Sequence, residues 1–315
     1  MRLAASVVAV SLTIPLGLDW HMPVPEDNPV TREKVALGRR LFSDRILSSD
    51  RTLACATCHD PRRAFTDGRV VAIGIFERMG TRSAPSLVNR GYGVSHFWDG
   101  SARSLEQQAL QPIANPKEMN LAIDEAVLRL AGAREYRDRF RAAFGRPVNA
   151  QDLARALASY VRTILSGNSP LDRYMNGDRN ALSPQARQGF GVFRGKGNCI
   201  ACHAGPNLTD EQFHNTGGAW KDGAIRDAGR FAVTGKESDR GAFKTPTLRE
   251  IARSSPYMHD GTVSTLKEVV DFYDRGGNSN PFIDHELHPL YLTEDEKFAL
   301  VAFLRSLNGH IQEGK

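Results

Sequence analysis

Cysteine is scarce in this chain of 315 residues: there are four, Cys55, Cys58, Cys199 and Cys202, and none elsewhere. Four cysteines in two close pairs cannot form the dense disulfide framework that staples small secreted domains. Apart from one short stretch at the N-terminus, no apolar run approaches the roughly 20 residues that cross a bilayer, so no membrane span is expected in the body of the chain. Charge of one sign is also missing, with 41 lysines and arginines against 36 aspartates and glutamates and a net charge of +5. With no basic run there is no nucleic-acid partner to expect, while the small positive excess suits solubility and an acidic redox partner. Histidine is absent between His59 and His96.

The cysteines fall in two copies of one pattern, Cys55-Ala-Thr-Cys58-His59 and Cys199-Ile-Ala-Cys202-His203. Cys-x-x-Cys-His attaches c-type haem: two thiols add to the two vinyl groups of a porphyrin, and the adjoining histidine sits beneath the iron. A four-cysteine zinc site would hold its pairs on a short loop, whereas 140 residues separate Cys58 from Cys199. Two disulfides would leave the histidine after each pair unexplained. The chain is therefore read as carrying two covalent haem c groups, with His59 and His203 as proximal ligands.

Arg2 followed by an uncharged stretch from Leu3 to Leu18 has the layout of a secretory signal, so residues 1–20 are read as a signal peptide or, if retained, an N-terminal anchor, and the protein as periplasmic. Each haem motif follows a helix-like stretch, Val35 to Phe42 and Ala186 to Phe193, which suggests a diverged duplication. Helical periodicity recurs at Leu153, Leu157, Tyr160, Val161 and Ile164, and at Phe298, Val301, Leu304 and Leu307. Thr265 with Glu268, and Thr293 with Glu296, read as capping boxes. Gly68 to Asn120 and Ala204 to Thr262 show little periodicity and read as loops wrapped around cofactors. The expected fold is mainly α: two cytochrome c-like domains, residues 21–170 and 171–315, each with one covalently bound haem c, long irregular loops and little strand.

The blocks Phe97-Trp98-Asp99-Gly100-Ser101, Gln107-Gln108, Gln111-Pro112, Asn115-Pro116-Lys117-Glu118-Met119, Lys244-Thr245-Pro246-Thr247-Leu248-Arg249 and Pro256-Tyr257-Met258-His259-Asp260-Gly261 resemble the bacterial dihaem cytochrome c peroxidase superfamily from about Asn28 to Leu307. Within it the chain is most similar to the MauG-like enzymes. The resemblance implies that the N-terminal haem is the peroxide site and the C-terminal haem the electron-transfer site. It implies Tyr273 as the second ligand of the His203 haem, where many relatives carry methionine fourteen residues after the His-Asp-Gly histidine. Met258 and Met175 are the fallback ligands, and the alternative for Tyr273 is an ordinary core tyrosine. At the first haem, with no histidine in the following loop, an open iron is implied; Met79 is the loop's soft candidate. Glu118 is implied as proton shuttle, Gln108 as the group orienting peroxide, Pro112 as distal wall and Trp98 as relay between the haems. His259 is implied to support a propionate or the water network between haems, with His214 a weaker support and Trp220 either packing or a surface exit.

A calcium ion between the domains is also implied, held by Ser83 at the family's asparagine position and by the carbonyls of Ser254 and Pro256; Asn89 is the substitute if the loop path differs. The implied activity is reaction with hydrogen peroxide at the open haem, with oxidising equivalents shared with the second haem to oxidise a partner protein. A conventional peroxidase fed by a small cytochrome c or a cupredoxin is the alternative enzyme, and a non-catalytic electron carrier the alternative of another class.

Overall fold

Residues 12–314 are described by the computed structural model. Helices begin where a short polar side chain can take an otherwise unpaired amide. Thr31 caps α1 (Arg32–Phe42), and Ser104 caps α2 (Leu105–Ala114). α3 (Ile123–Gly132) and α4 (Arg134–Phe144) lead to α5 (Ala150–Val161), which Asn149 caps. In the second half Ser183 opens α6 (Pro184–Arg194). Thr265 with Glu268 and Thr293 with Glu296 form full capping boxes on α7 (Leu266–Asp274) and α8 (Glu294–Arg305), as their spacing predicts. Among the described residues strand is confined to short pieces, β1 (Leu165–Gly167), β2 (Phe213–His214), β3 (Trp220–Lys221), β4 (Ala224–Ile225), β5 (Phe243–Lys244) and β6 (His310–Gln312), paired antiparallel as β1–β6, β2–β5 and β3–β4. The protein is mainly helical, as expected. Two details differ: the stretch read as irregular from Gly68 to Asn120 contains α2, and Phe298 lies on the outer face of α8, 64% exposed, while Leu300 and Phe303 face inward.

Two apolar cores form. Leu37, Leu41, Phe42, Leu153, Leu157, Tyr160 and Ile164 belong to one, and Val192, Phe193, Val270, Leu300, Phe303 and Leu304 to the other. Each centres on the helix before a haem motif crossing the last long helix of its half, α1 on α5 and α6 on α8. A glycine sits at each crossing because the backbones touch: a Cβ on Gly38 would strike the carbonyl of Ala156, and one on Gly189 that of Ala299. Gly189→Ala should therefore destabilise by about 1–3 kcal/mol through overpacking. Gly191→Ala, two residues along the same helix and facing open space, is expected to be neutral or stabilising, and chemical denaturation of the two variants checks the contrast.

The matching crossings belong to a wider internal repeat. Phe97-Trp98-Asp99-Gly100 and Met258-His259-Asp260-Gly261 each begin with a left-handed residue, φ 65° at Phe97 and 70° at Met258. Trp98 and His259 thus hold equivalent positions in the two halves. Counted from the capping residues Ser104 and Thr265, Pro112 on α2 is equivalent to Tyr273 on α7.

Residues 12–20 lie in the stretch read as leader or anchor, yet they are seated in the fold. Asn168 donates its amide to the Leu16 carbonyl at 2.8 Å, and Tyr92 its hydroxyl to that of Asp19 at 2.7 Å. Arg249, buried and paired with both oxygens of Asp172 at 2.8 and 2.9 Å, also donates to the Gly17 carbonyl at 2.7 Å. Cleavage at residue 20 would remove these contacts and a retained N-terminus would keep them; residues 1–11 of the stretch lie outside the described residues. Deleting residues 1–20 should lower the thermal midpoint, since the buried Arg249 loses a partner worth about 1–3 kcal/mol. Differential scanning calorimetry of the truncated and full-length chains measures it.

Candidate haem sites

His59 and His203 are held in the same way. Nδ1 of His59 lies 3.0 Å from the Phe65 carbonyl, and Nδ1 of His203 lies 3.0 Å from the Leu208 carbonyl. Both acceptors are left-handed residues, φ 58° and 52°, in matched Phe65-Thr66-Asp67 and Leu208-Thr209-Asp210 segments. Thr66 and Thr209 brace these turns, each hydroxyl donating to a carbonyl at 2.7 Å, that of Ala84 and that of Thr245. An Nδ1–H···O=C bond leaves Nε2 as the nitrogen with a free lone pair. Burial pushes both rings toward the neutral form that binds metal, His203 down to about 4.

All four cysteines are free thiols, so neither motif is closed by a disulfide. Two thiols and an oriented imidazole at each site are the donor set of a covalently attached haem. Among the described residues one other cluster has metal-binding composition, Cys202, Asp210 and His214. Its cysteine belongs to the second motif, and His214 is already engaged by two carboxylates, Asp210 at 2.9 Å and Asp284 at 2.7 Å.

Beside the first motif, α2 carries Gln108 and Pro112 four residues apart on one face. Glu118 follows the helix, and its carbonyl accepts from the Ile75 amide at 2.9 Å. The Asn115 side chain donates to Glu118 Oε1 at 2.7 Å. Burial nonetheless raises the Glu118 carboxyl above its ordinary range, and burial first, with the nearby Glu118 charge a lesser contribution, pushes the Cys55 and Cys58 thiols up. Gln108 is half-buried. Met79 is 65% exposed in a hairpin where Gly74 and Gly80 close main-chain bonds to Arg78 and Ala72, so the one soft candidate for this site faces solvent.

Beside the second motif, Tyr273 lies in the last turn of α7. Burial, then the proximity of Cys202 and Cys199, pushes its phenol well above the usual range. Met175, a fallback ligand, is 65% exposed. Met258, the other, offers its carbonyl to the Ser83 hydroxyl at 3.1 Å.

Across the two halves, Trp98 donates its indole N–H to the Ser83 carbonyl at 2.9 Å, and the Ser83 amide donates to the His259 carbonyl at 2.8 Å. The buried His259 ring stacks on Phe243, 3.7 Å between centroids and 15° between planes, and burial takes its pKa down to about 4. Arg82 lies over the other aromatic of this stack, 5.5 Å from the Phe243 centroid, and joins Asp99 at 2.6 Å to Asp227 at 2.7 Å. A cleft opens here, lined by Arg82, Lys221, Arg226, Asp227, His259 and Asp260. Trp220 lies on β3, in the hairpin whose Lys221 pairs with Asp260 at 2.7 Å. Arg82 and Phe243 were not legible as site residues, because what brings them together is contact between distant segments: Arg82 reaches Asp227, 145 residues on, and lies over Phe243.

The sequence profile of the di-haem cytochrome c peroxidase family matches residues 32–180. The methylamine utilization protein MauG of Methylorubrum extorquens is 42% identical over 288 residues, covering 91% of this chain and 81% of that protein. The chain belongs to the di-haem cytochrome c peroxidase family. The cytochrome c551 peroxidase of Nitrosomonas europaea is 34% identical over 290 residues, covering 91% of this chain and 83% of that protein. The crystal structure of a MauG-like protein associated with microbial copper homeostasis is similar with a TM-score of 0.85 and 34% identity, covering 97% of this chain and 96% of that one. As a member of the family the chain is a haem-dependent oxidoreductase, and haem c is the cofactor its two motifs fit. Among the described residues no helix is long and apolar enough to cross a membrane.

Proposed function

We propose that this protein is a periplasmic dihaem oxidoreductase of MauG type, in which hydrogen peroxide reacts in the first half and a partner protein is oxidised through the second. Tyr273 carries this reading: a phenol, not a thioether, stands beside Cys199 and Cys202 at the position equivalent to Pro112. Residues 21–170 would enclose the haem of Cys55, Cys58 and His59, and residues 171–315 that of Cys199, Cys202 and His203. Bound haem would supply the iron that takes peroxide and stores its oxidising equivalents.

The side chains have separable tasks. Glu118, half-buried and held by Asn115, accepts a proton from the inner oxygen of peroxide and returns it to the outer one, so that the O–O bond breaks with water as leaving group. Gln108 orients the peroxide by hydrogen bonding, and Pro112, with no amide hydrogen, keeps the wall apolar. His59 and His203, their Nδ1 atoms engaged by main-chain carbonyls, would hold the two haem irons, and Tyr273 would be the further ligand of the second. Trp98 relays electrons between the halves, and His259 supports its loop. In sum, peroxide takes two electrons and two protons and leaves as two waters, the electrons being drawn from the partner.

The test is to mix the matured, fully oxidised protein with one equivalent of peroxide, without reductant, and follow both haem spectra by stopped flow. Prompt change at both haems is expected. A response that begins only after one haem is reduced would favour the conventional peroxidase, fed by a small cytochrome c or a cupredoxin, which the 34% identity to a cytochrome c551 peroxidase also accommodates.

A further inference from the structure

We infer that Ser83 itself fastens the first half of the molecule to the second, at the place where family resemblance calls for a calcium ion, and that it thereby positions Trp98. All of its polar groups are engaged. Its amide donates to the His259 carbonyl at 2.8 Å, its hydroxyl faces the carbonyls of Met258 at 3.1 Å and His259 at 3.3 Å, and its own carbonyl accepts the Trp98 indole at 2.9 Å. The side chain is buried, 7% exposed, so these bonds are not contested by solvent. One residue thus links the indole of the first half to the main chain of the His259 loop in the second.

The same geometry does not suit a hard cation. Calcium gathers six to eight oxygens, preferably with carboxylates among them. Here the Ser83 hydroxyl points its hydrogen at carbonyl oxygens. The carboxylates of Asp99 and Asp227 are held by the Arg82 guanidinium next in sequence, whose positive charge would oppose a second cation. That leaves the neutral carbonyls of Ser254 and Pro256. The substitute ligand Asn89 is fully buried and committed elsewhere: its Oδ1 accepts from the Ser166 amide at 2.8 Å and its Nδ2 donates to the Ser166 carbonyl at 3.0 Å. The amide that a cation would need instead pins the first strand, β1. Ser83 is accordingly a positioning residue, and the link between halves is a set of hydrogen bonds.

The experiment has a metal arm and a coupling arm. Holoprotein is assayed for calcium by mass spectrometry, dialysed against EGTA, and compared before and after by visible spectrum and by the midpoint potentials of both haems; substoichiometric calcium and no change are expected. Ser83→Ala should alter the haem potentials and slow the peroxide-induced change at the second haem by about 3–10-fold, the worth of one ordinary hydrogen bond. Ser83→Thr, which keeps the hydroxyl, should restore both. Stoichiometric calcium whose removal perturbs either haem would overturn the inference, as would a Ser83→Ala protein with unchanged potentials and kinetics. The kinetic arm rests on the proposed function, but the calcium content and the potentials do not, so a parent protein inert to peroxide would end that reading while still deciding this one.

Discussion

Glu118→Gln should slow the reaction with hydrogen peroxide by about 10²–10⁴-fold, the usual worth of a positioned acid–base group, while both haems stay attached. The substitution keeps the shape and the Asn115 contact at 2.7 Å but removes the group that accepts and returns a proton. Stopped-flow rates against peroxide concentration measure it, and mass spectrometry of the intact chain counts the haems. An undiminished rate would remove Glu118 from the mechanism. The pH dependence carries a second signature. Burial favours the neutral acid, so the carboxyl loses its proton at higher pH than an exposed glutamate, and the base is available only above that value. The rate should therefore rise with pH through a raised carboxyl pKa, and Glu118→Gln should abolish that rise. The linked stability effect has the opposite slope: the folded chain holds a proton the unfolded chain releases, so this stabilisation is present at low pH and fades as pH rises through the folded value.

Tyr273→Met should raise the reduction potential of the second haem by on the order of 100 mV or more, because axial ligand identity spans most of the range proteins impose on haem. An anionic phenolate stabilises the oxidised iron, whereas a neutral thioether favours the reduced one. The side chain sits at the end of a nine-residue helix fixed by the Thr265–Glu268 capping box, so a methionine can occupy the same place without moving the backbone. Methionine is smaller but flexible enough to fill part of the space, and the cost in stability should be about 1–3 kcal/mol. Spectroelectrochemical titration of the variant checks the first claim. The peroxide response should also become conditional on prior reduction, as a conventional peroxidase requires. An unchanged potential would sink Tyr273 as a ligand and leave it a core tyrosine.

Much of the local chemistry was legible before folding. The haem motifs are contiguous, and contiguous spacing survives any tertiary arrangement. The capping boxes at Thr265 and Thr293 were legible for the same reason, since a cap acts within one turn. The core stripe of α5 could be read from its helical period, but Phe298 could not be told from a core residue, because period gives a face and not which face another element covers. The internal repeat was faint as sequence and plain as backbone: Gly38 and Gly189 make the same contact at equivalent crossings, and Phe97 and Met258 share a left-handed conformation without sharing identity.

By itself the sequence determined which atoms are available for chemistry: two Cys-x-x-Cys-His motifs, a tyrosine fourteen residues after His259, and no histidine between His59 and His96. Only the tertiary structure decided how those atoms are aimed and joined. The seating of residues 12–20 against Arg249, the spending of the Ser83 hydroxyl on Met258, and the bridging of Asp99 and Asp227 by Arg82 each unite segments far apart in the chain. Such contacts depend on where two backbones cross, and a hydrogen bond of about 3 Å between distant residues leaves no periodicity or spacing from which to read it.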